Sequence, residues 1–223
     1  VSTTLVGPEA RLPPRWRLAV FDMDGTLVDS FPWFIRVLND VADRYGFRRV
    51  APEDVPSLRR AHAHEILRRL AVPAWRLPAI VRHMRALKTA QLADIPLFPG
   101  VDAMLAGLAG RGVTLAVVSS DSDANVRRSL GAANLAHIAY LACGAGLFGK
   151  PHKLRAVLRR AGVAPTAAIA IGDELRDLDA ARGVGMAFGA VAWGYTDITA
   201  LAARAPDLVF HRMEDIVPAL APG

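Results

Sequence analysis

The sequence predicts an α/β fold: a Rossmann-like parallel sheet core with helices on both faces, plus a small helical domain inserted after the first strand. Three observations predict it. Continuous apolar runs of strand length recur along the chain, as strands buried on both faces require. Helical patterns separate them, the alternation of a parallel sheet. One long stretch, residues 32–98, contains no convincing strand and carries helical periodicity instead.

The elements follow in order. The lead-in VSTTLVGPEARLPPRWR has no apolar centre of the signal-peptide kind and reads as irregular. RLAVF (17–21) reads as the first buried strand. In the insertion, Leu58, Ile66, Leu67 and Leu70 suggest one amphipathic helix, and Leu77, Ile80, Val81, Met84 and Leu87 another. IPLFPG (95–100) returns the chain through two prolines and a glycine, a hinge-like composition. The expected domains are therefore 1–31 with 99–223 as the core, and 32–98 as the helical insertion. Beyond it, strands are expected at 113–118, 138–142, 167–171 and 186–192, and helices near 101–111, 122–130, 152–162 and 177–183. Short elements at 207–210 and 213–220 close the chain.

Composition excludes several classes. A chain of 223 residues with 52% hydrophobic content describes an ordinary globular core rather than a disordered segment. No apolar run reaches the roughly 18 residues of a membrane span. The single cysteine, Cys143, rules out an internal disulfide and suits a reducing, cytoplasmic location. Residues 32–98 hold twelve Lys and Arg against six Asp and Glu, so the whole net charge of +6 sits in the insertion. A basic segment beside a neutral one suggests an anionic partner, either nucleic acid or a small phosphorylated molecule. With no aromatic-and-basic strip, zinc finger or RNP-like run, the expected partner is a small phosphorylated metabolite, with neither nucleic acid nor membrane. Solvated arginines on exposed helix faces are the competing reading.

Open parallel sheets bind ligands beyond the carboxyl ends of their strands. After the first strand stands DMDGT, with Asp22 and Asp24; after the second, Ser119 and Ser120. Lys150 lies in GKPHK, and Asp173 and Asp177 in GDELRD after the fourth strand. Four carboxylates at one rim are untenable without cations; a divalent metal, Lys150 and a phosphate ligand give a workable balance. A carboxylate can attack phosphorus when a metal and a lysine neutralise the approaching phosphate. Hard oxygen ligands with room for waters favour magnesium. A second carboxylate two residues along can protonate a leaving oxygen and later deprotonate water.

DMDGT after a strand, the serines after the second, Lys150 in FGKPHK and GDELRD together resemble the four motifs of the haloacid dehalogenase superfamily, from about residue 17 to 210. The helical insertion resembles the cap of its phosphoglycolate phosphatase and beta-phosphoglucomutase-like branch. The resemblance implies Asp22 as nucleophile and metal ligand. It makes Asp24 the acid/base, which also offers the metal its main-chain carbonyl. Ser119, Ser120 and Lys150 would bind phosphate, and Asp173, supported by Asp177, would complete the metal site. The implied function is a Mg2+-dependent phosphatase hydrolysing a small, phosphoglycolate-like phosphomonoester through an aspartyl-phosphate intermediate. The runner-up is a phosphomutase of the same fold. A dehalogenase would not need Asp24, and a non-catalytic phosphate-binding protein would need no acid/base beside a nucleophile.

Alternatives stand beside these residues. Lys153 competes with Lys150, Glu174 competes with Asp173 for the metal, and Ser119 suits a helix N-cap. His62 and His64 lack HExxH spacing and read as surface or interface histidines. Phe31, Trp33 and Phe34 suit either a substrate pocket or a buried helix face, and WGY at 193–195 has no role readable from sequence.

Overall fold

The computed structural model describes residues 15–144 and 149–222. Most of the lead-in expected to be irregular, residues 1–14, lies outside them. Strand β1 (Leu18–Phe21) is followed by four helices: α1 (Phe31–Tyr45), α2 (Val55–Leu58), α3 (Ala63–Arg69) and α4 (Leu77–Ala90). Residue 98 is thus reached without a strand, apart from two isolated bridges, Asp24 with Val28 and Val28 with Leu97. Proline in the first turn starts α1, and Gly46 ends it in the left-handed conformation (φ 66°). Its Trp33, Val37 and Val41, four residues apart, are buried on one side.

One expectation is corrected here. Leu58 to Leu70 do not form a single amphipathic helix: α2 stops at Leu58 and α3 starts at Ala63. The break has a physical cause, because the turn between them carries Arg59 and Arg60 down to the core, where the Arg59 guanidinium bonds two carbonyls.

The rest of the chain alternates: α5 (Val101–Gly110), β2 (Thr114–Val118), α6 (Asp123–Leu135), β3 (Ile138–Ala142), α7 (Lys150–Ala161), β4 (Ala168–Gly172), α8 (Leu175–Arg182), β5 (Ala187–Val191), α9 (Ile198–Ala202), β6 (Leu208–Phe210) and α10 (Ile216–Leu220). Helix α6 runs past its expected end but breaks helical geometry at Gly131 (φ 70°), one residue beyond it. Among the described residues six strands pair in parallel in the order β3-β2-β1-β4-β5-β6.

Alternation along the strands splits the core into two layers. Ala19, Phe21, Leu115, Val117, Ile169 and Ile171 face one layer, closed by α5, α6 and α10 through Leu105, Leu108, Val126 and Ile216. Leu18, Val20, Ala116, Val118, Ala168 and Ala170 face the other, closed by α7, α8 and α9 through Leu154, Val157, Leu178 and Leu201. Both faces of the central strands are therefore dry, which is why they read as unbroken apolar runs. Among the described residues no helix is long and apolar enough to cross a membrane.

Candidate active site

Register places the site. Phe21 is level with Val117 on one side and Ile171 on the other, so Asp22 leaves β1 between the ends of β2 and β4. Its N–H still donates to the Ile171 carbonyl at 2.9 Å, which fixes the backbone as the side chain reaches the rim.

Asp22, Asp173 and Asp177 are all buried, and each offers a carboxylate oxygen within 4.8 Å of the others. Lys150, at the start of α7, sits between two of them, 2.6 Å from Asp22 Oδ1 and 2.5 Å from Asp177 Oδ1. Burial pushes the Asp22 carboxyl up to about 7; Lys150 opposes the shift and Asp177 adds to it. Asp173 is held well above the usual carboxylate range by burial, then by Glu174, Asp22 and Asp177. Burial alone would lower Lys150, but Asp177 and Asp22 outweigh it and hold the ammonium above its ordinary value. Three acids against one lysine leave negative charge in a dry place. A divalent cation fits this set: the donors are hard oxygens, and their mutual repulsion is what such an ion relieves.

Asp173 is clamped by two loops. Thr26 Oγ1 donates to its Oδ1 at 2.8 Å and the Tyr195 N–H to its Oδ2 at 2.7 Å. Both loops depend on glycine for the approach: a Cβ on Gly25 (φ 79°) would fall 2.2 Å from Asp173 Oδ2, and one on Gly194 2.1 Å from Asp173 Cβ. The WGY stretch thus gains a position. Trp193 Nε1 donates to the Thr26 carbonyl at 3.1 Å, and Tyr195 OH to Ser30 Oγ at 3.1 Å. Phe31 and Phe34 meet the Tyr195 ring edge-on at 5.1 and 5.5 Å. Trp33 instead is buried, its Nε1 donating to Gln91 at 2.7 Å.

The Asp24 carboxylate stands apart from the other three. It turns toward the insertion, where Lys88 Nζ of α4 lies 2.6 and 2.7 Å from its two oxygens and 2.6 Å from Asp121. Lys88 is only 7% exposed. Burial would lower it, but Asp24 and Asp121 outweigh the effect and raise it. Neither Lys88 nor Asp121 was among the residues expected from sequence. A lysine four residues after Met84, on the apolar face of its helix, was the available signal, as was a third polar residue directly after Ser119 and Ser120.

Around this bridge the insertion is tied to the rim in two places. At α4, Arg85 donates to the Ser120 carbonyl at 3.0 Å, and Asn125 links Thr89 and Asp121, each at 2.9 Å. At the turn after α2, Arg59 donates to the carbonyls of Tyr195 (2.9 Å) and Gly194 (2.7 Å), and Arg60 pairs with Asp197 at 3.2 Å.

The remaining candidates fall as follows. Ser119 is buried and its Oγ accepts from the Asp121 N–H at 3.0 Å; Ser122, not Ser119, caps α6. Lys153 donates to the Ser119 carbonyl, so both candidate lysines reach the rim, with Lys150 alone among the acids. Glu174 pairs with Arg176 and caps α8 reciprocally with Asp177, outside the three-carboxylate group. His62 and His64 stack on each other at 5.7 Å, and His62 Nε2 lies 3.3 Å from Arg204.

Comparison with known proteins agrees with this architecture. The phosphoglycolate phosphatase of Synechococcus elongatus is 32% identical over 202 residues, 90% of this chain and 95% of that one. Two solved structures share the fold: a haloacid dehalogenase-like family protein of Streptococcus pneumoniae (TM-score 0.76, 19% identity, 91% of this chain and 97% of that one) and CbbY of Rhodobacter sphaeroides in complex with phosphate (TM-score 0.70, 24% identity, 90% and 96%). The family model for haloacid dehalogenase-like hydrolases matches residues 19–191, from the first strand of the sheet to the end of the fifth. The chain belongs to the haloacid dehalogenase-like hydrolase family.

Proposed function

We propose that the protein is a magnesium-dependent phosphomonoesterase that works through an aspartyl-phosphate on Asp22. The observation that carries this reading is the buried group of Asp22, Asp173 and Asp177, two of which, Asp22 and Asp177, hold the Lys150 ammonium, with a separate carboxylate, Asp24, two residues from Asp22. A binding protein gains nothing from two carboxylates so close together; phosphoryl transfer needs a nucleophile and a proton carrier.

In this reading an Asp22 oxygen attacks phosphorus while the bond to the ester oxygen breaks. Asp24 passes a proton to the departing alcohol. The same carboxylate then takes a proton from the water that attacks the phosphorus of the acyl phosphate, releasing phosphate and regenerating Asp22. Lys150, held at 2.6 Å from Asp22, offsets charge on the phosphoryl oxygens. Ser119 and Ser120 at the end of β2 bind the same oxygens. Magnesium, when bound, neutralises the carboxylates and the phosphoryl group together. Asp22 and Asp173 would hold it with their carboxylates and Asp24 with its main-chain carbonyl, while Asp177 positions its surroundings. Residues 32–98 act as a cap over a core of 1–31 and 99–223, and the two ties at Lys88 and Arg59 hold it closed.

The substrate is a small phosphomonoester, and the name of the Synechococcus relative makes 2-phosphoglycolate the reference compound. Phosphate release from p-nitrophenyl phosphate and 2-phosphoglycolate, with magnesium and with chelator, tests the reading. Release that needs both magnesium and Asp22 supports it. Full activity in chelator, or in Asp22→Asn, overturns it.

A further inference from the structure

Between the rim and the insertion opens a pocket of about 370 Å³. Its charged lining is Asp24, Lys88, Asp121, Glu174 and Arg176 with Arg59 and Arg85, and His62 also lines it. Its apolar end runs into the insertion itself, where Leu38, Ile66, Leu67, Ile80, Val81 and Met84 form the wall. No charged residue of α1 or α3 lines it.

That chamber is unusual for a small helical unit. Amphipathic helices normally close their apolar faces on one another, and protein interiors leave few voids larger than a water molecule. Here α2 and α3 bury no residue fully, and the inward apolar side chains of α3 line open space. The volume falls within the roughly 300–1,000 Å³ of small-ligand sites. A two-carbon acid such as glycolate would occupy only the polar end, leaving the apolar chamber empty. A charged group placed among Leu38, Ile66 and Ile80 would lose its hydration against apolar side chains.

We propose that the phosphomonoester carries an apolar organic group, a medium-length alkyl or aryl chain that passes Met84 and lies between Leu38, Ile66 and Ile80 while its phosphate sits at the rim. This rests on the phosphatase reading and names its substrate class. Lys88 and Arg85 mark the border where the polar head ends and the apolar chamber begins. The insertion thus selects by burying hydrocarbon, and its arginine surplus steers the phosphate end of the molecule.

The test is kcat/KM for n-alkyl phosphates from ethyl to octyl, beside 2-phosphoglycolate. The expected rise approaches about fourfold per added methylene until the chamber is full, the value for burying one CH2 group. Leu67→Trp, which narrows the chamber, should lower kcat/KM for octyl phosphate more than for ethyl phosphate. A flat chain-length profile with phosphate still released overturns this inference and leaves the phosphatase reading intact, as does preference for 2-phosphoglycolate over octyl phosphate. If no phosphate ester is hydrolysed, the phosphatase reading falls, and calorimetric titration with n-alkylphosphonates decides the chamber's role. Affinity rising with chain length then upholds apolar recognition, and affinity independent of length overturns it.

Discussion

Replacing Asp22 with asparagine should separate what this carboxylate does from what it costs. Burial holds its carboxyl at about 7, against 3.8 ordinarily, even with Lys150 at 2.6 Å. A carboxyl whose folded pKa lies above its unfolded value weakens folding as pH rises. The penalty is absent below the unfolded value, grows through the interval, and is complete above about 7. Roughly three units at about 1.4 kcal/mol each set a ceiling of about 4 kcal/mol at pH near 8. Asparagine keeps the shape of the protonated acid without the charge, and Lys150 retains Asp177. Allowing for the bond that Lys150 loses, the metal-free variant should gain about 1–3 kcal/mol, or about 3–8 °C in Tm for a chain of this size. Thermal unfolding in chelator, at a pH near 8 and again near 5, reads the effect. The gain should shrink by more than half at the lower pH, where wild-type Asp22 is largely protonated. Added magnesium should raise the wild-type Tm more than that of the variant, because it binds the folded carboxylates. Phosphate release by the variant should fall by several orders of magnitude. A variant less stable than wild type in chelator near pH 8, or equally stabilised at both pH values, would refute the electrostatic reasoning.

Other expectations concern the neighbours of this group. Lys88→Met leaves Asp24 and Asp121 facing each other without their cation; breaking a buried pair costs about 3–5 kcal/mol, and part exposure of Asp24 places this one near 2–3 kcal/mol. Urea unfolding measures it, and unchanged stability would remove Lys88 from the ties that hold the insertion. Asp24→Asn should slow hydrolysis of alkyl phosphates, whose leaving oxygens need a proton, far more than that of p-nitrophenyl phosphate; equal losses would count against the acid role. Arg59→Ala removes two bonds to the 194–195 carbonyls and should raise KM by about tenfold, for a loss of about 1.5 kcal/mol. Arg69→Gln should change kinetics little, because Arg69 pairs within its own helix with Glu65. The Cys143 thiol is pushed to about 11 chiefly by burial, so near pH 8 only about one molecule in a thousand carries the thiolate. Alkylation by iodoacetamide, followed by mass spectrometry, should be about a hundredfold slower than for an ordinary exposed thiol; a rate equal to that of free cysteine would contradict the burial.

The sheet was legible because its central strands are buried on both sides and therefore unbroken in apolar character. Each starts or ends within about one residue of the apolar run that announced it. The rim residues were legible for a related reason: an apolar run that stops at a carboxylate marks a strand end, and open parallel sheets use those ends. The insertion was less legible. A periodic pattern across 58–70 says which faces are apolar, not where a turn interrupts them, and the turn here is set by contacts of Arg59 with residues about 135 positions away. Lys88 escaped for the same reason, since its partners Asp24 and Asp121 come from two different strand ends. WGY carried no motif because two of its contributions are main-chain: the Tyr195 N–H toward Asp173, and the Gly194 and Tyr195 carbonyls toward Arg59. The split among the four aspartates, three gathered in one buried group and one turned to Lys88, also lies beyond spacing alone.

In the proposed mechanism Asp22 becomes covalently phosphorylated during turnover. Borohydride reduces an acyl phosphate to an alcohol, so quenching the enzyme in borohydride during steady-state hydrolysis would convert a phosphorylated Asp22 to homoserine. Peptide mass spectrometry then reads the site directly. Homoserine at position 22, present with substrate and magnesium and absent when either is withheld, is the predicted result. Phosphate release with no modification at Asp22, or with modification at Asp24, Asp173 or Asp177 instead, would contradict it.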